Sequence, residues 1–186
     1  MYYAVLNELK LRQANLDTLR REFDPTFSLM PPHVTLVFPV STSELSLRVM
    51  KQHVAHIART TEGFPAHMRE TQLSWDNYLY LIAQEGATNF IELHNALYGG
   101  VLAQHLRSEL PYMPHITLGH LAKPTENFSL DRPQASQLDG DRYARAQKAL
   151  QGMELNFTYD VAEIQLVELN AENTKLKMLA TFALTG

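Results

Sequence analysis

The chain predicts an α+β fold built as two related lobes, each giving one strand to a shared groove. Three observations predict it. A five-residue string occurs twice, 82 positions apart: Pro32-His33-Val34-Thr35-Leu36 and Pro114-His115-Ile116-Thr117-Leu118. The segment after each copy repeats in outline, as motif strand, connection and helix, over residues 33–60 and 115–151. The remaining short apolar segments are joined by tight polar turns, which implies hairpins and antiparallel pairing.

Element by element, Tyr2 to Leu6 reads as a strand, and Leu16, Leu19 and Phe23 at helical spacing predict a helix over 14–23. Asp24-Pro25 ends it, because a residue before proline avoids the α region. Residues 33–38 form the first motif strand. Leu47, Met50, Val54 and Ile57 mark one buried stripe of a helix over 43–60, with Gly63 as its expected C-cap. Strands come next at 64–73 and 78–83 around the turn Trp75-Asp76-Asn77. Phe90, Leu93, Leu97 and Val101 mark a second long helix, in which Gly99-Gly100 predicts a kink, a break or close packing. Pro111 and Pro114 lead into the second motif strand. Residues 122–138 lack a period and read as a long loop. Residues 141–151 form a short helix stopped by Gly152, and strands at 161–169 and 175–184 close the chain.

Side chains alternate along a strand, so each motif histidine shares a face with its threonine. Val34 with Leu36, and Ile116 with Leu118, point the other way, into the core. Phe38, at even spacing from Leu36, is grouped with them. Two such strands side by side offer two imidazoles and two hydroxyls. An imidazole with a pKa near ~6.5 runs as acid or base near neutrality. One can take a proton from a nucleophile while the other gives one to a leaving oxygen. The hydroxyls can donate to non-bridging phosphate oxygens as charge gathers there. A single His-x-Thr is an ordinary half-buried histidine. A duplicated one, with its proline and leucine, is not explained by stability alone.

The paired motifs resemble those of the two-histidine phosphoesterase superfamily, which includes the RNA 2′,3′-cyclic phosphodiesterases known as 2′-5′ RNA ligases. Residues 74–81 are similar to that family's central strand, 90–106 to the helix before the second motif, and 157–184 to its terminal hairpin. The resemblance implies two antiparallel sheets flanked by helices, with the motifs in the cleft. It implies metal-independent hydrolysis of a 2′,3′-cyclic phosphate, with His33 and His115 as general base and acid in either order, Thr35 and Thr117 as phosphate ligands, and 2′-5′ ligation as the minor reverse direction. It requires no cofactor. Relatives commonly carry arginine after the glycine of the second motif. Here Leu118-Gly119-His120 puts histidine there, so His120 and Lys123 become candidate phosphate contacts. The rival reading is a nucleotide- or phosphate-binding protein that keeps the groove without turnover.

Tyr78 and Tyr80, two apart on one strand, and Tyr112 are further candidate substrate contacts, as bases stack on aromatic rings. His53 and His56 read as a solvated helix face and His94 as a packed histidine. No metal site is expected, because three or four converging ligands are not evident.

With 186 residues and 45 % hydrophobic content, one bilobal domain over 1–186 is expected. A net charge of −4 disfavours long duplex partners and suits a small nucleotide or an RNA terminus. There is no cysteine, which excludes disulfides and thiolate chemistry. Neither a leader nor a ~20-residue apolar span is evident, so a cytoplasmic monomer away from membranes is expected.

Overall fold

The computed structural model describes residues 1–123 and 137–186. The chain runs β1 (Tyr2–Glu8), α1 (Ala14–Phe23), β2 (His33–Ser41), α2 (Leu47–Thr60), β3 (Phe64–Leu73), β4 (Tyr78–Ala83), α3 (Ala87–Leu97), β5 (His115–His120), α4 (Gly140–Leu150), β6 (Phe157–Val161), β7 (Glu163–Leu169) and β8 (Leu176–Ala183). A 3-10 turn, Gly100–His105, lies between α3 and β5.

The strands form one sheet in the order β6-β3-β4-β5-β2-β1-β7-β8, with every neighbouring pair antiparallel. The two motif strands are its middle pair. The two separate sheets that the resemblance implies are one continuous sheet, because the motif strands pair with each other at Val34 and Ile116; the two lobes are its halves, β6-β3-β4-β5 and β2-β1-β7-β8. The repeat also reaches further upstream than the sequence suggested. A strand and a helix precede each motif strand, as β1-α1-β2 and β4-α3-β5, and β1 and β4 flank the central pair symmetrically.

The helices share one face of the sheet. Leu16 and Phe23 from α1, Met50 and Val54 from α2, and Phe90 and Leu93 from α3 join Val34, Leu36, Ile116 and Leu118 in one core. Amphipathic helices on an alternating sheet need this single dry layer. The opposite face carries the motif histidines and threonines.

Several boundaries differ from expectation for local reasons. Helix α2 starts at Leu47, since the Ser46 hydroxyl accepts the Val49 N–H and caps it. Gly63 is not its C-cap. The helix ends where Thr61 turns extended, and the Gly63 N–H donates to the Thr185 carbonyl at 2.8 Å. The Gly99-Gly100 pair does break the second helix: Gly100 takes φ 57° and the chain resumes as a 3-10 turn. The break shifts the phase, so Leu102 is buried and Val101 is not. The closing segment holds three strands rather than two. Phe157–Val161 is a separate strand on the far edge beside β3, parted from β7 at Ala162. The loop expected over 122–138 falls, except for its ends, outside the described residues. Those ends are bridged at Ala122 and Leu138. Among the described residues, no helix is long and apolar enough to cross a membrane.

Candidate active site

Each motif strand carries the same irregularity. Along β2, Thr35 pairs with Leu6 and Val37 with Val5, which leaves Leu36 as an extra residue. Along β5, Thr117 pairs with Tyr80 and Gly119 with Leu79, which leaves Leu118 extra. The leucine of the repeated string is thus a β-bulge in both copies. A bulge resets the alternation. Leu36 and Val37 are both buried, and Phe38 turns to the opposite face and lines a cleft. Phe38 therefore does not belong with the core residues, because its expected placement assumed an unbroken period of two. His120 occupies the equivalent position on β5 and also lines the cleft.

Antiparallel pairing at Val34 and Ile116 sets His33 beside Thr117 and Thr35 beside His115. Val34 and Ile116 are buried beneath, so the four polar side chains share the upper face. Opposite residues in such a pair stand ~5 Å apart at Cβ and diagonal ones ~7–8 Å, so the two histidines are diagonal neighbours on one face. The cleft above has a volume of about 610 Å³ and is lined by His33, Thr35, Thr117, His120, Lys123 and Tyr78, among others.

Both imidazoles are held in the same way. His33 Nδ1 lies 2.8 Å from the Pro31 carbonyl, and His115 Nδ1 lies 2.6 Å from the Met113 carbonyl. A carbonyl only accepts, so Nδ1 carries the hydrogen and, in the neutral ring, Nε2 is left with a lone pair. Burial lowers the pKa of His33, opposed by the Pro31 hydrogen bond and reinforced by the positive charge of Arg20. Burial likewise pushes His115 down to about 4, and its neighbour His33 adds to the effect.

The two histidines differ in cover. Tyr80 lies on His115, with ring centroids 3.6 Å apart, and neither lines the cleft. Leu6 is the residue of β1 that corresponds to Tyr80, opposite Thr35, and His33 faces the cleft. Tyr78 stacks on His120 at 4.2 Å. Tyr112, expected among the substrate contacts, is not in the cleft. Its hydroxyl donates to the Thr35 carbonyl at 2.9 Å, and its ring stacks on His94 at 3.7 Å. His94 Nδ1 lies 2.8 Å from the Leu36 carbonyl, and the Tyr98 hydroxyl accepts the Phe38 N–H at 2.9 Å. Three side chains from α3 and the segments after it thus hold backbone groups of Thr35, Leu36 and Phe38 around the bulge of β2. His53 is half-buried and not a plain solvent-facing residue: its Nε2 lies 2.7 Å from the Leu97 carbonyl and ties α2 to α3.

Two arginines escaped sequence reasoning. Arg20 is buried at the cleft wall. It donates through Nε and a terminal nitrogen to Asp24 Oδ2, at 3.0 and 2.7 Å, and to the Met30 carbonyl at 2.7 Å. The i, i+4 spacing at the end of α1 was its only signal. Arg142 reaches from α4 to the carbonyls of His120 and Phe23, each at 2.9 Å, and no local pattern announced it. Among the described residues, no three histidines or carboxylates gather closely enough to hold a metal ion.

A model of the 2′-5′ RNA ligase superfamily matches residues 8–173. The chain belongs to that superfamily. A protein of Bacillus licheniformis named as a candidate phosphoesterase is 28 % identical over 130 residues, covering 68 % of this chain and 74 % of that one. A Geobacillus kaustophilus protein of the same description is 25 % identical over 187 positions, covering 100 % and 96 %. Among solved structures, E. coli LigT complexed with 3′-AMP superposes with a TM-score of 0.61 at 19 % identity, covering 100 % of this chain and 98 % of LigT. TT0787 of Thermus thermophilus gives 0.64 at 21 %, covering 100 % and 99 %. These two likenesses show the α+β fold. The family and the named relatives place the chain among phosphoesterases.

Proposed function

We propose that the chain is a metal-independent phosphodiesterase that opens a 2′,3′-cyclic phosphate on a small nucleotide or an RNA terminus. His33 and His115 are its general base and acid, and Thr35 and Thr117 bind the phosphate oxygens. The observation that carries this reading is the pairing at Val34 and Ile116, which sets two imidazoles diagonally across one polar array. Both have Nδ1 committed to a carbonyl. Each ring therefore has only Nε2 to offer to a substrate.

In the reaction one imidazole, neutral, accepts a proton from water as the water oxygen attacks phosphorus. The bond from phosphorus to one ribose oxygen breaks, and the other imidazole, charged, gives that oxygen a proton. The products are a phosphomonoester and a free hydroxyl. The threonine hydroxyls donate to the non-bridging oxygens, where negative charge grows. With a ribose 5′-hydroxyl in place of water, the same ring opening joins two ends: the P–O5′ bond forms, one ribose P–O bond of the cycle breaks, and the protons move as before. Both histidines are mainly neutral in the free protein, since burial lowers their pKa. A bound phosphate anion opposes that shift and charges one of them. The LigT complex with 3′-AMP is consistent with such a groove accepting the monoester of an opened cycle.

The test is hydrolysis of the four nucleoside 2′,3′-cyclic phosphates with excess chelator present. Turnover that needs both histidines supports the reading. Tight binding without turnover would make the chain a binding protein. Loss of activity on chelation, restored by a divalent ion, would replace the mechanism.

A further inference from the structure

The two ends of the cleft differ, although the fold makes them equivalent. Phe38 and His120 occupy matching positions, each following the bulged leucine of its motif strand. Around Phe38 the cleft is apolar, with Pro39, Ala4, Val167 and Leu169 in its lining. Ala4, Leu6, Met30, Val167 and Leu169 form a second apolar cluster, separate from the main core. Leu6 stands directly opposite Thr35, so this floor adjoins the motif array on one side.

Around His120 the cleft is cationic. Lys123 and Arg142 line it there, and β5 runs from Thr117 through His120 toward Lys123. The other charges in the lining are held by partners, the Asp139 carboxylate at this same end included. Arg20 is closed onto Asp24 at 2.7 Å. The Asp139 carboxylate accepts the N–H groups of Asp141 and Arg142 at the start of α4, where the helix dipole favours it. Glu172 lies beyond the apolar end, where it accepts from the Asn170 amide at 2.7 Å. Lys123, in contrast, donates to the neutral amide oxygen of Gln137 at 3.1 Å. Arg142 donates only to backbone carbonyls, those of His120, Phe23 and Glu22. Neither meets a carboxylate among the described residues. Asp76 and Asp24 act on His120 electrostatically, and Asp139 lines the same end, but Lys123 and Arg142 form no ion pair with any of them, so two cation heads remain for an anion.

We propose that this end, formed by Lys123, Arg142 and His120, is a second anion subsite that binds the 5′-phosphate of the same nucleotide whose 2′,3′-phosphate lies on the motif array. It rests on the proposed function for the identity of the first phosphate. A ribose presents its base, its 2′,3′ edge and its 5′ carbon in three directions. The apolar floor beside Thr35 takes the base, the array takes the 2′,3′ edge, and the cationic end beyond Thr117 takes the 5′ substituent. The preferred substrate class is a nucleotide phosphorylated on both sides of its ribose, not a nucleoside cyclic phosphate with a free 5′-hydroxyl. A phosphorylated monomer and the last residue of an RNA chain share that chemistry.

Calorimetric titration separates the possibilities with three probes at fixed low ionic strength: adenosine 3′-monophosphate, adenosine 3′,5′-bisphosphate, and the dinucleotide adenylyl-(3′→5′)-adenosine 3′-monophosphate. A charge-assisted contact predicts that the second phosphate tightens Kd about tenfold, with a gain that shrinks as salt rises. Gain for the bisphosphate alone assigns the subsite to a terminal phosphate. Gain for the dinucleotide too assigns it to an RNA chain. In Lys123→Gln the gain falls below about threefold. Arg142→Lys keeps the charge, loses the fork that spans several carbonyls, and gives an intermediate gain. Equal Kd values for all three probes in the wild type overturn the subsite, as does a gain that survives Lys123→Gln and Arg142→Gln alike. Histidine-dependent opening of adenosine 2′,3′-cyclic phosphate is measured in parallel. Its absence would sink the proposed function while leaving the difference in binding to stand or fall by itself.

Discussion

The hydroxyl of Tyr112 donates to the backbone carbonyl of Thr35 at 2.9 Å, so a side chain from just before the second motif holds the strand of the first. The two motif strands pair through Val34 and Ile116. One residue further on, at Thr35, this hydroxyl takes the place of a ladder contact. It joins the two halves of the repeat at Thr35, whose hydroxyl is proposed to bind phosphate.

Tyr112→Phe removes that donor and little else. Stability should fall by ~1 kcal/mol, the usual net worth of one hydrogen bond. If Thr35 needs the bond to stay in place, kcat should fall about tenfold with the pH profile unchanged, because misplacement by fractions of an ångström is costly. Steady-state kinetics with a cyclic nucleotide, beside a denaturant titration, reads both. An unchanged kcat would mean that the sheet positions Thr35 unaided.

His33→Ala and His115→Ala should each lower turnover by ~10²–10⁴, the usual worth of one positioned acid or base. The double variant should be little worse than either single one, since the pair acts as a unit. Thr35→Val should lose less, because Thr117 remains. Additive losses in the double variant would indicate that the imidazoles do not share one reaction.

The acid limb of stability follows from the same burial. His115 has its pKa pushed down to about 4, and His33, His94 and His120 are shifted in the same direction by desolvation. An unfolded histidine titrates near ~6.5, so between that pH and about 4 the unfolded chain binds more protons than the folded one. Stability from this source is fully present above the unfolded value and is lost as pH falls through the window. For His115 alone the loss is up to ~3 kcal/mol. Thermal melts from pH 7.5 to 4.5 should show the decline, and His115→Gln should flatten part of it. A wild-type melting temperature that rises on acidification over this range would contradict the shifts.

The central strands, the helices α1 and α4, and the sharing of one face by four polar side chains were all legible in the sequence. Each follows from period or from local punctuation: Asp24-Pro25, Gly152, and the two copies of Pro-His-x-Thr-Leu. The bulges at Leu36 and Leu118 were not legible. A bulge is a mismatch between two strands, and a single strand's pattern does not record its partner's count. The misplacement of Phe38 followed from that. Tyr112 shows the same limit: its spacing marked an aromatic residue near the site, but its partner lies 77 residues away in the chain. Arg142 was invisible because its work is done on backbone carbonyls of α1 and β5. One consequence is that Leu36→Ala, at a fully buried bulge, should cost ~2–5 kcal/mol in a denaturant titration. A neutral result would mean that the bulge can refill from its neighbours.

Gly119 gives the last expectation. A Cβ at this position would stand 2.4 Å from the Cβ of Phe23 and 2.9 Å from both its carbonyl carbon and its oxygen. Helix α1 therefore ends directly against β5, at the residue between the bulged Leu118 and His120. The same Phe23 carbonyl accepts from Arg142. Gly119→Ala should destabilise the fold by ~1–3 kcal/mol, as overpacking against a rigid neighbour does. That should appear as a melting temperature lower by ~2–12 °C. It should also push the end of α1 outward, and with it Asp24 and the buried Arg20 beside His33, so nucleotide affinity should weaken along with stability. Shortening the side chain does not remove the conflict, because the 2.9 Å contacts are to the backbone. Combining Gly119→Ala with Phe23→Ala should thus fail to restore either property, and a full rescue would show that only the phenyl side chain stood in the way.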